Sequence, residues 1–318
     1  MADPLRTSRE SEMLREVRDG LSRPQKELSP KFFYDRRGSE LFEEITRLPE
    51  YYLTRAERAL LRARSSDIAG VTGARSLVEL GAGSAEKTRI LLDALVARGT
   101  AEMYVPVDVS ASFLADSARR LAREYPSLTI EPVVADLTAG FTPPRAMPHP
   151  ALFAFLGSTI GNFDPPAAVQ LLGRVLGAMR QGDTLLLGAD LRKNVSRIEA
   201  AYNDSRGVTA EFNRNILSVL NRELGADFVP DAFEHRAFFE ERASRIEMHL
   251  VSSRDQVVHV PGMPPVRLAR GESIRTEISC KYDRDLLEQL FERAGLEVTQ
   301  WYELVDDGYA LLLAAPAA

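Results

Sequence analysis

The stretch SLVELGAGSAEKTRILLDAL (76–95) decides the fold. A short apolar run, SLVEL (76–80), enters a turn that carries Gly81 and Gly83, and an amphipathic helical pattern follows over 86–98. Glycines at a strand-to-helix turn let backbone approach a ligand with no Cβ in the way. Working outward, MYVPVD (103–108), LTIEPVV (128–134), ALFAFLG (151–157) and TLLLGAD (184–190) are further near-continuous hydrophobic strands, with helical stretches at 111–125 and 166–180 between them. Strands apolar on both faces and separated by helices imply a parallel sheet covered on each side, a doubly wound α/β fold.

The rhythm breaks near residue 195. A helical pattern at 207–224 precedes β-like segments at 233–241, 243–252, 255–260 and 272–280, too much material for a crossover, so an inserted α+β domain is expected. Helix 284–294 and the pair 297–304 and 309–315, split by Asp306-Asp307-Gly308, then complete the first sheet. Ahead of it all, residues 1–30 form a charged helix ended by Ser29-Pro30. Two helical patterns over 39–69 flank a Pro49 turn, the second opening with Thr54 and Glu57 at capping-box spacing. The expected division is 31–194 with 283–318 as the cofactor domain, and 1–30 with 195–282 as the substrate-recognition domain.

With 318 residues, 45% hydrophobic and 27% charged, the chain has the profile of an ordinary globular protein. Forty Lys and Arg against forty-six Asp and Glu leave a net charge of −6, so no positive field exists to hold nucleic acid. The single cysteine, Cys280, has no partner for an intramolecular disulfide, in keeping with a reducing compartment. The first 20 residues lack the apolar centre of a signal peptide, and YALLLAAPAA (309–318) is shorter than the roughly 20 residues of a membrane span. A cytoplasmic, non-membrane protein is expected.

The glycine turn selects among cofactors. A dinucleotide site continues G-x-G-x-x-G, with a pyrophosphate on the helix N-terminus, but here the third position is Glu86. A carboxylate is a poor neighbour for pyrophosphate, which weighs against an NAD-dependent oxidoreductase. S-adenosylmethionine (SAM) carries no phosphate, and Glu79-x-Gly81-x-Gly83 fits it better. Asp108, ending the second strand, can accept two ribose hydroxyls, and Asp136, ending the third, can receive an adenine amine; alternatively each caps the helix that follows. Lys87 can pair with the cofactor's carboxylate or stand solvated in the first helical turn.

Other chemistries lack their motifs. There is no G-x-x-x-x-G-K-[ST] P-loop, and GSTIG (157–161) puts Thr159 where a nucleophile elbow needs serine. His149, His235, His249 and His259 show no zinc spacing, so no metal is expected. Arg119, Arg120 and Arg123 form a solvated helix face, and Phe212, Ile216, Leu217 and Leu220 a core stripe.

Six segments carry a more specific signal: KFFYDRRGSELFEEITRLPEYYLTRAE (31–57), LVELGAGSAEKT (77–88), YVPVDVS (104–110), FLGSTIGNFDP (155–165), AYNDSRGVTAEFNRNIL (201–217) and GESIRTEIS (271–279). Together, from about residue 30 to the C-terminus, they resemble the histidine-specific N-alpha-methyltransferases. The resemblance implies a Rossmann-like class I methyltransferase sheet and a SAM-dependent triple methylation of L-histidine to hercynine, the opening step of ergothioneine biosynthesis. It places the cofactor on Gly81, Lys87, Asp108, Asp136 and Leu137, and the amino acid on Tyr51, Gly157, Asn162, Tyr202, Met248, Glu277 and Ser279. Asn162 and Tyr202 resemble the carboxylate holders, Glu277 and Ser279 the imidazole anchors. Tyr34 resembles a tyrosine near the α-amine, acting as a base or orienting water.

A small-molecule substrate and a monomeric enzyme are expected, with no nucleic acid or membrane partner. Two rivals stand beside it. A methyltransferase for another aromatic amino acid, such as tryptophan, would bury the Glu277 charge beside an indole. A catalytically silent nucleoside-binding module would have no need of a polar amino-acid pocket.

Overall fold

The structure, a computed structural model, describes residues 4–83 and 85–317. The chain divides into two compact units: Met1–Tyr51 with Asn194–Ser279, here the insertion unit, and Tyr52–Lys193 with Cys280–Ala318, the sheet unit. The units meet in sequence at 51/52, 193/194 and 279/280, where the expected division has 30/31, 194/195 and 282/283. Internal packing explains the first difference. Helix α1 (Pro4–Leu21) leads into β1 (Lys26–Glu27), a 3-10 turn (Pro30–Phe33) and α2 (Arg36–Ile45). Phe33 of that turn stacks on Phe212 at 4.5 Å between ring centroids, and Phe42 of α2 lies 6.0 Å from the same ring. Residues 31–51 are thus part of the insertion unit's core, and truncating a buried ring such as Phe33 costs about 3–5 kcal/mol.

In the sheet unit, α3 (Tyr52–Thr72) starts two residues before the expected Thr54 cap, and Glu57 is wholly buried instead of closing a capping box. Then come β2 (Ser76–Leu80), α4 (Thr88–Arg98), β3 (Met103–Asp108) and α5 (Ala111–Glu124). Residues 128–134 form two fragments, β4 (Thr129–Ile130) and β5 (Val133–Val134), each parallel to β3. Pro132 stands between them and has no N–H for a ladder bond, so the strand breaks there. The run closes with β6 (Ala151–Phe155), α6 (Pro165–Ala178) and β7 (Thr184–Asp190).

The insertion unit resumes with α7 (Val195–Ala200) and α8 (Val208–Leu224). On α8, Phe212, Ile216, Leu217 and Leu220 are buried, as their spacing predicts. Strands β8 (Phe233–Glu240) and β9 (Arg245–Ser252) pair antiparallel, and β10 (Gln256–Val258) pairs with β11 (Val266–Leu268). Strand β12 (Ser273–Cys280) completes a four-stranded sheet ordered β1-β12-β9-β8. The parallel pairing of β1 with β12 ties the N-terminal segment to this sheet.

Back in the sheet unit, α9 (Arg284–Arg293) precedes the hairpin β13 (Leu296–Leu304) and β14 (Tyr309–Pro316). The large sheet runs β13-β14-β7-β6-β2-β3-β4, with β14 antiparallel to both neighbours and every other pairing parallel. Strand order reverses at β2, whose neighbours are β3 and β6. In open α/β sheets a ligand crevice forms at such a switch point, outside the carboxyl ends of the strands. The glycine turn leaves β2 at that edge. Among the described residues no helix is long and apolar enough to cross a membrane.

Candidate active site

In the sheet unit the turn after β2 is shaped by the end of β3. The amides of Gly81 and Ala82 donate to the carbonyl of Val107 at 2.8 and 3.1 Å, while Gly83 donates to Oδ2 of Asp108 at 3.0 Å. Oδ1 of Asp108 accepts from the Ser110 amide at 2.9 Å, so both carboxylate oxygens are aligned, yet the residue is only half-buried. Gly81 and Gly83 have φ of +72° and +49°, a left-handed conformation that favours glycine, and a Cβ added at either would meet nothing within 4 Å. The backbone borders open space beside a carboxylate, a cradle and an acceptor that fit the hydroxyls of a nucleoside.

Asp136 lies two residues beyond β5, whose Val134 pairs with Asp108. Its Oδ1 accepts from the Thr138 amide and hydroxyl, at 2.8 and 2.5 Å, and Asp136 and Leu137 are both half-buried. The start of α4 is ringed by carboxylates. Glu79 is buried beneath the turn, where it accepts from Thr88 and Tyr104, and exposed Glu86 lies 3.9 Å from Arg58. Burial pushes the Glu79 carboxyl up to about 7. A helix end so furnished suits a cofactor without phosphates.

Lys87 pairs with buried Glu57. The other oxygen of Glu57 accepts from the Gly157 amide and the Tyr309 hydroxyl, both at 2.6 Å. Two expected ligand-contacting residues, Lys87 and Gly157, are thereby joined through one that motif reading assigned to helix capping. Gly157 has φ +79°, and the 3-10 turn Thr159–Asn162 follows it, ending at half-buried Asn162. Ser158, itself left-handed at φ +57°, is fixed by its hydroxyl, which accepts from the Asp190 amide at 2.9 Å.

The insertion unit gathers the remaining expected residues. Tyr34 ends the 3-10 turn and sets its ring edge-on to Phe42 and Phe212, at 5.8 and 5.9 Å. Tyr51 packs edge-on against Phe42 and Tyr202, each at 6.3 Å. The Tyr202 hydroxyl donates to Ser279 at 2.8 Å. Ring and hydroxyl contacts thus connect Tyr34, Tyr51, Tyr202 and Ser279. Met248 is buried on β9, beside β12, on which Glu277 is half-buried.

Sequence reading left out two residues that hold Tyr202. The Tyr202 carbonyl can only accept, so His235 donates to it through Nε2 at 2.9 Å and receives the Asn213 amide at Nδ1, also at 2.9 Å. Burial lowers the His235 pKa, in keeping with this neutral tautomer. Thr276 completes the chain by donating to the Asn213 carbonyl oxygen at 2.6 Å. Asn213 is wholly buried on α8, and a buried amide on an apolar helix stripe was the available signal. The same signal exists for Glu57, which shares the buried face of α3 with Leu53, Leu60 and Leu61.

The profile of a family described as histidine-specific methyltransferase, SAM-dependent, matches residues 13–316. The chain belongs to this family. Among curated proteins it is 48% identical over 303 residues to a histidine N-alpha-methyltransferase of Mycobacterium tuberculosis, covering 95% of this chain and 94% of that one. A protein of the same description from Mycolicibacterium smegmatis is 44% identical over 303 residues, with 94% of each chain covered. Ergothioneine biosynthesis protein 1 of Neurospora crassa is 30% identical over 292 residues, which are 87% of this chain but 32% of that larger protein. Histidine-specific methyltransferases act on a small-molecule amino acid with SAM as methyl donor, and the α/β sheet with its glycine turn is the corresponding framework.

Proposed function

We propose that the enzyme transfers three methyl groups in succession from SAM to the α-amine of free L-histidine, giving hercynine, the first step of ergothioneine biosynthesis. The observation that carries this reading is the histidine-specific family match across residues 13–316. In the same reading the enzyme works as a cytoplasmic monomer on a free amino acid, without nucleic acid, membrane or metal.

The sheet unit would hold the cofactor: Asp108 receiving the ribose hydroxyls, Asp136 and Leu137 the adenine, Lys87 the carboxylate, with Gly81 in the turn. When bound, SAM supplies an electrophilic methyl group on a sulfonium. The chain's own task is then alignment, because a direct displacement needs a neutral amine at near-attack distance and no covalent nucleophile. Asn162 and Tyr202 anchor the histidine carboxylate with neutral donors, which add no cation near the sulfonium. On binding, the Tyr202 hydroxyl would turn its one proton from Ser279 to that carboxylate. Glu277 accepts from the imidazole N–H beside Ser279, and Tyr51, Gly157 and Met248 border the amino acid. A side chain with no ring N–H would leave Glu277 unpaired, which is the physical basis of specificity.

Each methylation releases one proton from the amine, so a histidine entering as the ammonium form gives up three over the sequence. Tyr34 takes or relays them, directly or through water. Mass spectrometry of L-histidine after incubation with enzyme and SAM tests the assignment. Successive gains of one, two and three methyl groups are expected. No gain on histidine, or a gain on tryptophan in its place, would overturn it.

A further inference from the structure

Glu57 has no part in the chemistry described so far, yet much of the sheet edge is built around it. The carboxylate is wholly buried and takes three donors: the Lys87 ammonium on Oε2, the Gly157 amide and the Tyr309 hydroxyl on Oε1. Strand β7 makes room for it. A Cβ on Gly188 would stand 2.2 Å from Oε1 and 2.8 Å from the Tyr309 hydroxyl, so only glycine admits the carboxylate at that register. Lys87 itself is drawn over the turn after β6, where a Cβ on Gly157 would lie 3.2 Å from its nitrogen.

A lysine stem has four rotatable bonds, and a partly exposed ammonium near the glycine turn would otherwise sample many positions. A buried carboxylate fixed by two further donors removes that freedom. It occupies one ammonium proton and leaves two for a ligand, while neutralising part of the charge that would repel a sulfonium nearby.

We propose that Glu57 is a positioning residue that aims the Lys87 ammonium at the amino-acid carboxylate of the methyl donor and, through the same carboxylate, fixes the Gly157 backbone. This rests on the SAM reading of the sheet unit. Its consequence is selective: Glu57 acts on recognition of the cofactor's amino-acid tail and has no effect on the nucleoside.

Two probes separate these parts. S-adenosylhomocysteine carries the tail, and 5′-methylthioadenosine is the same nucleoside without it. By titration calorimetry on the full chain, Glu57→Gln is expected to weaken S-adenosylhomocysteine about ten- to hundredfold, the range of one charge-assisted hydrogen bond. Binding of 5′-methylthioadenosine should change less than about twofold, and Glu57→Gln combined with Lys87→Met should cost little more than Lys87→Met alone. Tyr309→Phe removes one donor and leaves both charges, so it tests the same point, with a smaller loss confined to the tail-bearing probe, should Glu57→Gln fail to fold. Equal losses for both probes, or additive losses in the double variant, would overturn the proposal and make Glu57 a plain structural ion pair. Wild-type protein that binds neither probe would overturn the cofactor reading itself, and the Glu57 proposal with it.

Discussion

Gly83 donates its backbone amide to Oδ2 of Asp108 at 3.0 Å, so the carboxylate that ends β3 also sets the shape of the turn that ends β2. Its second oxygen is held by the Ser110 amide. Removing this side chain leaves two amides without their acceptor and deletes the group proposed to receive the ribose. Asp108→Ala is expected to lower affinity for S-adenosylhomocysteine about ten- to hundredfold, and Asp108→Asn, which keeps one acceptor oxygen, to lower it less. Unchanged affinity in the alanine variant, measured by calorimetry, would place the ribose elsewhere.

In the proposed reading, the Tyr202 hydroxyl of the insertion unit, which bonds Ser279, also recognises the histidine carboxylate. Tyr202→Phe keeps the ring against Tyr51 and loses only the oxygen. We expect the KM for histidine to rise about tenfold or more, with a stability loss of about 1 kcal/mol and an unaltered KM for SAM. Steady-state kinetics with each substrate varied in turn checks this; a rise in the SAM KM alone would contradict it.

Glu79 gives the fold a pH dependence of unusual sign for a carboxylate. Burial, the largest cause, holds its pKa at about 7, above the ordinary 4.5, despite bonds from Thr88 and Tyr104. The native state therefore binds this proton more tightly than the unfolded chain. The stabilisation is complete below about pH 4.5 and is lost as pH rises through about 7. Glu79→Gln, which never ionises, should gain on the wild type between pH 5 and pH 8 by up to about 3 kcal/mol. Urea denaturation at the two pH values reads this difference. A constant gap would mean that Glu79 does not titrate in that window.

Asp190, wholly buried at the end of β7, accepts from Lys193, from Lys281 at 2.9 Å and from the Tyr52 hydroxyl at 2.7 Å. Lys281 is itself fully buried, so loss of the shared carboxylate takes an anionic partner from a buried ammonium. Asp190→Ala should destabilise the protein by about 3–5 kcal/mol, seen as a lower denaturation midpoint. Asp190→Asn, which retains an acceptor, should cost less. A change below about 1 kcal/mol for the alanine variant would show that solvent reaches Lys281.

Several elements are legible in the amino-acid sequence itself. TLLLGAD and MYVPVD form strands at the bounds read from their apolar runs, and the stripe on α8 is buried as its spacing requires. LTIEPVV reads as one strand and forms two, because Pro132 interrupts the ladder. Residues 31–51 read as part of the cofactor domain yet pack with Phe212, since an amphipathic helix declares that it must be covered but not by what. Phe33 and Phe42 chose Phe212, some 170 residues away in sequence.

Sequence alone determined the alternation of strand and helix, the glycine turn with its acidic strand ends, and the family. These are local patterns, in which backbone geometry or ligand chemistry restricts which residue type can stand at a position. Tertiary structure alone decided that Glu57 would leave its capping-box spacing to join Lys87, Gly157 and Tyr309, and that Asn213 and His235 would hold Tyr202. A buried polar group must find its partners wherever the fold brings them, and partners 22 to 252 residues distant leave no periodic mark on the chain.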